Sequence, residues 1–316
     1  MGNNRHDIDI VFLWVDGNDP AWRAKRDALA EKPEETSSAH CEGRYADNDE
    51  LKYSLRSIEQ YAPWIRNIFI VTDNQTPRWL DTSNPKVRIV DHAEILPPES
   101  LPCFNSDLIE HYLYRISGLS ECFLCANDDT LLGRRVEPSD FFTPEGFPIV
   151  RQTPKPFRKL RWFFREHILR KPLKNYSKKI ARTALLIEEK FGTYFTGMPH
   201  HNIDAYLRSD CRRVAEDLLR EEFSANRHHH LRSDDDVHRV AFSYIALAEN
   251  RGQLRYVTQK ESMIVRIHKP KDYAKFLKRR PTFFCMNDSE YANSQHRITA
   301  QAFLEKIFPW KSSFER

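Results

Sequence analysis

Asn127-Asp128-Asp129 follows the apolar stretch Cys122 to Ala126. Two adjacent carboxylates at the end of a buried strand resist a packing explanation, because burying unpaired charge is costly. A divalent cation offsets their repulsion, and Mg2+ takes one or two carboxylates together with substrate phosphate oxygens. The competing reading is a turn with helix-capping acids. Asp16-Gly17-Asn18-Asp19 stands after the first apolar run and reads either as a turn or as part of a ligand mouth. Trp14 beside it could stack on a base or belong to the core. Asp47-Asn48-Asp49-Glu50 precedes a helical pattern, and its three acids exceed what an N-cap requires. Pro199-His200-His201 lies in a loop, where a histidine is either a general base or a surface residue. Arg227-His228-His229-His230-Leu231-Arg232 looks like a metal box. It lacks the spacing with a carboxylate that zinc hydrolases use, and Asp234, Asp235 and Asp236 can balance its charge. No P-loop, G-x-G-x-x-G loop or G-x-S-x-G elbow is present, which argues against kinase-type, dinucleotide and hydrolase chemistry.

Positioning such groups requires a scaffold. Asp7 to Val15, Asn67 to Thr72, Val87 to Val90 and Cys122 to Ala126 are apolar and β-branched and read as buried strands of a parallel sheet. Ala21 to Glu31, Glu50 to Tyr61 and Ser106 to Arg115 read as helices between them. Strands that alternate with helices and end in acidic turns imply an α/β sheet, whose ligands bind beyond the carboxyl ends of the strands. Asp16, Asp73 and Asp128 all stand at such ends. Downstream, Asn202 to Phe223, Val237 to Glu249 and Ile298 to Phe308 carry helical patterns, and Arg255 to Thr258 and Ser262 to Ile267 read as short strands. The expected organisation is an α/β nucleotide-sugar-binding half (1–150), a basic insertion (151–195) and a helical half completing the site (196–316).

Between residues 155 and 182 eleven cations face one acid, a net +10 within a chain of net +4, so the other 288 residues sum to −6. This basic segment, interleaved with Trp162, Phe163, Phe164, Ile168 and Leu169, has three readings: a solvated face, a patch for anionic lipid headgroups, or a site for an anionic polymer such as a phosphate-containing glycan. The acidic remainder disfavours nucleic acid. The 38 aromatics among 316 residues suffice for a core. No run reaches the roughly 18 apolar residues of a membrane span. Met1 to Asp9 lacks the apolar region of a secretory signal, and the cysteines are dispersed, so a reducing, cytoplasmic setting is expected. Cys122 and Cys125 point to opposite faces of a strand, which argues against a disulfide or shared metal.

Four strings carry a resemblance: IDIVFLWVDGNDP, RYADNDELKYSLRSIEQYAPWIRNIFIVTDNQTPRWL, FNSDLIEHYLYRISGLSECFLCANDDTLLGRRVEPSDFF, and FFCMNDS with FPWKSSFE. In this order, across almost the whole chain, they resemble the Stealth family. Its members are the capsular and exopolysaccharide sugar-1-phosphate transferases of bacteria, and the catalytic part of N-acetylglucosamine-1-phosphotransferase is similar. The resemblance implies a Rossmann-like or GT-A-like sheet, a UDP-N-acetylhexosamine donor, a capsule-type polysaccharide acceptor, Mg2+ (or Mn2+), and release of UMP as a phosphodiester forms. It implies Asp128, His200, Arg232 and Asn287 as catalytic groups, with His200 the candidate general base and a carboxylate the alternative. Trp14, Asp16, Gly17, Asn48, Arg56 and Asp73 would lie on the donor side, and Asp128, Asp129 and Asp288 would hold the metal. Leu13, Cys103 and Cys125-Ala126 depart from the family's usual residues and could retune donor fit. Two rivals remain open at this stage. One is a metal-dependent nucleotide-sugar glycosyltransferase releasing UDP. The other is a non-enzymatic polyanion- or membrane-binding protein built on the basic segment; for the transferase itself the expectation is a cytoplasmic enzyme with peripheral contact at the inner membrane face through residues 155–182.

Overall fold

The computed structural model describes residues 7–29, 45–171, 173 and 175–316. The end of the expected first helix, the loop before Gly43, and Lys174 lie outside the described residues. The strands are β1 (Ile8–Leu13), β2 (Ile68–Thr72), β3 (Val87–Asp91), β4 (Cys122–Asn127), β5 (Thr130–Leu132), β6 (Ile149–Thr153), β7 (Met198–Pro199), β8 (Asp204–Leu207), β9 (Gln253–Tyr256), β10 (Ser262–Arg266) and β11 (Phe283–Asn287). The helices are α1 (Pro20–Asp27), α2 (Glu50–Tyr61), α3 (His92–Ile95), α4 (Ser106–His111), α5 (Arg158–Phe163), α6 (Asn175–Phe191), α7 (Arg208–Arg213), α8 (Arg220–Ala225), α9 (Val240–Ala248), α10 (Pro270–Arg279) and α11 (Ser294–Ile307).

The protein has an α/β fold. Its four apolar runs form parallel neighbours in the order β3-β2-β1-β4, and β8 closes the edge antiparallel to β4. The chain reverses its direction of strand addition between β1 and β4, which is the topological switch point of a Rossmann-like sheet. Strand alternation sends Val11, Phe69 and Phe123 into one core with Ile180, Ala184 and Tyr244 of α6 and α9. It sends Ile10, Phe12, Ile70 and Leu124 into the other, against Leu51, Leu55 and Ile58 of α2. Cys125 lies in the first core and Cys122 in the second, on opposite faces as the alternation requires.

Residues 202–223, read from sequence as one helix, open instead with β8. Tyr206 is apolar enough for a helix face, but the main chain here is captured by the open edge of β4. Two smaller sheets join parts of the chain far apart in sequence. One is β10-β11-β5, covered by α10 and α11; the other is β7-β6-β9.

The basic segment divides. On α6, Lys178 and Arg182 pair with Asp234 and Asp235, and Lys179 is buried against Asp107 at 2.6 Å and Asp236 at 3.2 Å. The acidic run therefore balances α6, although Asp236 also takes His229 Nδ1 at 2.7 Å. Around α5 and the π-helical turn after it, Phe157, Leu160 and Ile168 are instead 73%, 65% and 59% exposed. Among the described residues, no helix is long and apolar enough to cross a membrane.

Candidate active site

Register places Leu13 of β1 opposite Asn127 of β4, so Trp14 and Asp128 emerge side by side at the switch point. The Asn127-Asp128-Asp129 turn is fixed from three sides. Ser54 Oγ of α2 bonds the Asp128 carbonyl at 2.7 Å, the Met286 N–H of β11 donates to the Asp129 carbonyl at 2.8 Å, and Thr130 Oγ1 donates to the Asn127 carbonyl at 2.7 Å. Here Gly17 has a geometric reason: a Cβ would lie 2.1 Å from the Tyr45 carbonyl oxygen, which accepts from the Gly17 N–H at 2.8 Å.

Carboxylates crowd this turn. Burial, then the charge of Asp129, Glu50 and Asp47, pushes the Asp128 carboxyl well above its ordinary range. Burial raises Glu50 to about 8 against the hydrogen bonds from Asn48, and raises Asp47 to about 6. Like charges held together out of water disfavour ionisation, and a cation reverses that preference. Asp129 Oδ1 is buried without a hydrogen-bond partner, while Oδ2 accepts from Cys285 Sγ at 3.0 Å. An orphaned carboxylate oxygen beside a second acid is the donor chemistry a hard divalent cation uses, so these residues fit one.

Two chambers meet here. The larger, about 310 Å³, is polar and walled by the Lys179–Asp107 and Arg239–Glu110 ion pairs. The smaller, about 160 Å³, is lined by Trp14, Trp22, Tyr45, Phe104, Asp128 and Asp129. Ser106, Asn127, His201, Arg232, Asn287 and Asp288 border both. Arg232 is oriented by Ser106 Oγ, which accepts from its Nη2 at 2.9 Å. Burial holds His238, in the larger chamber, down at about 4, so it is neutral at pH 7.

Of the residues expected from sequence, Trp14, Asp128, Asp129, Arg232, Asn287 and Asp288 border the smaller chamber. Others are placed differently. Arg56 borders neither chamber; its guanidinium is buried and tied to Glu315, Glu305 and the Phe308 carbonyl. Asp73 is paired with Lys25 at 2.6 Å, and the Asn48 amide donates to Glu50 Oε1 at 2.8 Å. Asp16 and Gly17 shape the loop rather than the lining: the Asp16 N–H donates to Gln75, and its Oδ1 accepts from Asn18. Asp288 lines both chambers, but its Oδ2 accepts from Arg297 at 2.8 Å and its Oδ1 from the Ser289 N–H at 2.7 Å, which leaves Asp129 the more available metal donor.

His200 is the main displacement. Its side chain is 1% exposed and packed edge-on to Phe283, with Nδ1 on Ser262 Oγ at 3.0 Å and Nε2 3.4 Å from Asp204. It sits behind the larger chamber, and its neighbour His201, with a left-handed φ of 54°, is the one that faces both. Sequence reasoning also passed over Glu50 and Asp47 as site residues. The signal was the excess of acids at the start of α2: the Asp49 side chain makes no cap hydrogen bond. Cys285 gave no such signal, being one apolar-looking residue inside β11.

Conserved regions 1, 2 and 4 of the Stealth proteins match residues 6–32, 44–150 and 274–316. The second and third of the four strings fall together in region 2, and His200, His201 and Arg232 lie between matched regions. The chain is 36% identical over 328 residues to an exopolysaccharide phosphotransferase of Streptomyces coelicolor, covering 100% of this chain and 52% of that protein. It is 31% identical over 325 residues to the capsular polysaccharide phosphotransferase SacB of Neisseria meningitidis serogroup A, covering 99% of this chain and 58% of that protein. The chain thus spans little more than half the length of these relatives. Among solved structures, the galactosyltransferase LgtC with donor and acceptor sugar analogues aligns over 96% of both chains at 12% identity and a TM-score of 0.45. On the three matched regions and these relatives, the chain belongs to the Stealth family.

Proposed function

We propose that this chain transfers a sugar-1-phosphate from a UDP-sugar to a hydroxyl of a capsule-type polysaccharide. The observation that carries the reading is the meeting of two unlike chambers at one wall, with Asp128-Asp129 on one side of it and Arg232 reaching both. The aromatic, acidic chamber suits a nucleotide and its diphosphate. The larger polar chamber suits a sugar acceptor. N-acetylhexosamine is the donor sugar favoured by the family resemblance.

In the step itself, the acceptor oxygen bonds to the phosphorus that carries the sugar. The bond from that phosphorus to the oxygen bridging to the uridylyl phosphate breaks, and UMP leaves with that oxygen. His201, bordering both chambers, takes the acceptor proton. Arg232 balances charge on the departing phosphate, and Asn287 orients the diphosphate from the shared wall. Phosphoryl transfer asks mainly for this kind of positioning and charge stabilisation. A divalent cation, Mg2+ (or Mn2+), held by Asp129 with Asp128, would neutralise diphosphate charge when bound. Trp14, on the wall of the smaller chamber, would lie against the donor nucleotide.

We place this activity in the cytoplasm, where nucleotide sugars are made, with the exposed Phe157, Leu160 and Ile168 and neighbouring cations resting on an anionic bilayer. Incubation with UDP-N-acetylglucosamine and a polysaccharide acceptor tests the reading. UMP and an alkali-sensitive phosphodiester are expected. UDP as the nucleotide product would instead establish a glycosyltransferase.

A further inference from the structure

Asp129, His201 and Cys285 come from three separate parts of the chain: the turn after β4, the loop after β7, and β11. One donor atom from each lies within 4.8 Å of the other two. Cys285 is fully buried in β11 and lines neither chamber, but its thiol meets Asp129, which lines the smaller one. The Cys285 thiol already donates to Asp129 Oδ2, and Asp129 Oδ1 has no partner.

We propose that these three residues form a site for a thiophilic divalent ion, Zn2+ above all. A thiolate, an imidazole and a carboxylate are the ligand types of zinc sites that keep one position open. Mg2+ prefers oxygen ligands throughout and gains nothing from sulfur. The site overlaps the hard-cation site at Asp129 and differs from it by Cys285 and His201. Zn2+ seated there occupies both Asp129 and His201, so it inhibits turnover even with Mg2+ in excess; this consequence rests on the phosphotransferase reading, whereas the binding does not.

The test is titration of the reduced, metal-stripped full chain with cobalt chloride. The expected spectrum shows a thiolate-to-cobalt charge-transfer band and intense tetrahedral ligand-field bands that saturate at a single equivalent and are bleached by zinc chloride. Cys285→Ser should lose the charge-transfer band. His201→Gln should keep it but bind at least about tenfold more weakly, since even outer-shell changes cost about 10–100-fold in affinity. X-ray absorption of the zinc-loaded unmutated protein should show one sulfur neighbour at about 2.3 Å, a result independent of whether a variant folds. A weak octahedral cobalt spectrum, a charge-transfer band that survives Cys285→Ser, or an absorption spectrum without sulfur would overturn the site. A protein that binds Zn2+ through Cys285 yet, when zinc-free and supplied with Mg2+, UDP-N-acetylglucosamine and acceptor, releases UDP in place of UMP would overturn the transferase reading and leave the metal site standing.

Discussion

Arg56 and Glu315 form a two-pronged ion pair, Nε to Oε1 and Nη2 to Oε2, both at 2.8 Å, with side chains 6% and 4% exposed. The pair fastens Glu315 to α2, the helix whose Ser54 holds the Asn127-Asp128-Asp129 turn. Removing one partner of a buried pair leaves the other charge uncompensated. Arg56→Ala should therefore lower stability by about 3–5 kcal/mol. Denaturant unfolding checks this, and KM for the UDP-sugar in the folded fraction should stay near its original value because Arg56 touches neither chamber.

Asp129→Asn keeps the shape of the turn and removes its charge. Turnover should fall at least about 100-fold, the scale of losing one preorganised charge-stabilising group. The same substitution should abolish tight Mg2+ or Mn2+ binding, read by calorimetry.

The two adjacent histidines separate by placement: His201 borders both chambers and His200 borders neither. His201→Ala should cost about 100- to 10,000-fold in kcat, the range of a lost general base. His200→Ala removes a ring buried among Phe283, Ser262 and Asp204, so its main effect should be on thermal stability. Steady-state kinetics beside thermal melts for both variants decide between them. A larger kcat loss for His200→Ala, with melting unchanged, would reassign the base.

Acids before α2 set the pH response. Glu50 and Asp47 have folded-state pKa values raised to about 8 and about 6, chiefly by burial. Between the ordinary carboxylate range and those values the native state holds protons that the unfolded chain releases, so stability falls as pH rises. Metal-free protein should melt several degrees lower at pH 8 than at pH 5. Glu50→Gln should flatten that slope, as should saturating Mg2+.

The proposed membrane contact rests on the exposed Phe157, Leu160 and Ile168. Flotation with phosphatidylglycerol vesicles should recover the protein, and Phe157→Ser with Leu160→Ser should release it. Added salt should weaken the association through screening of the neighbouring cations.

The sequence was most readable where one physical demand acted alone. Burial on both faces wrote continuous apolar runs into β1, β2 and β4, and the acids at their ends marked the switch point. Placement was not legible where it is set by distant partners. Arg56 sits in a matched region, yet its partners are more than 240 residues away in Glu305 and Glu315. His200 and His201 are indistinguishable as letters; the left-handed turn at His201 decides which ring reaches the cavity. β8 was hidden because Asp204–Leu207 owes its strand conformation to the unpaired edge of β4 and not to its own pattern.

The most direct measurement follows one oxygen atom. A UDP-sugar carrying a heavy-oxygen label at the atom joining C1 to the diphosphate is turned over with acceptor, and both products are examined by mass spectrometry and phosphorus NMR. Attack at phosphorus keeps the C1–oxygen bond, so the label should appear in the phosphodiester of the polymer, with UMP unlabelled. Label recovered in UDP would mean that the bond at C1 was the one cut, and the phosphoryl-transfer assignment would be wrong.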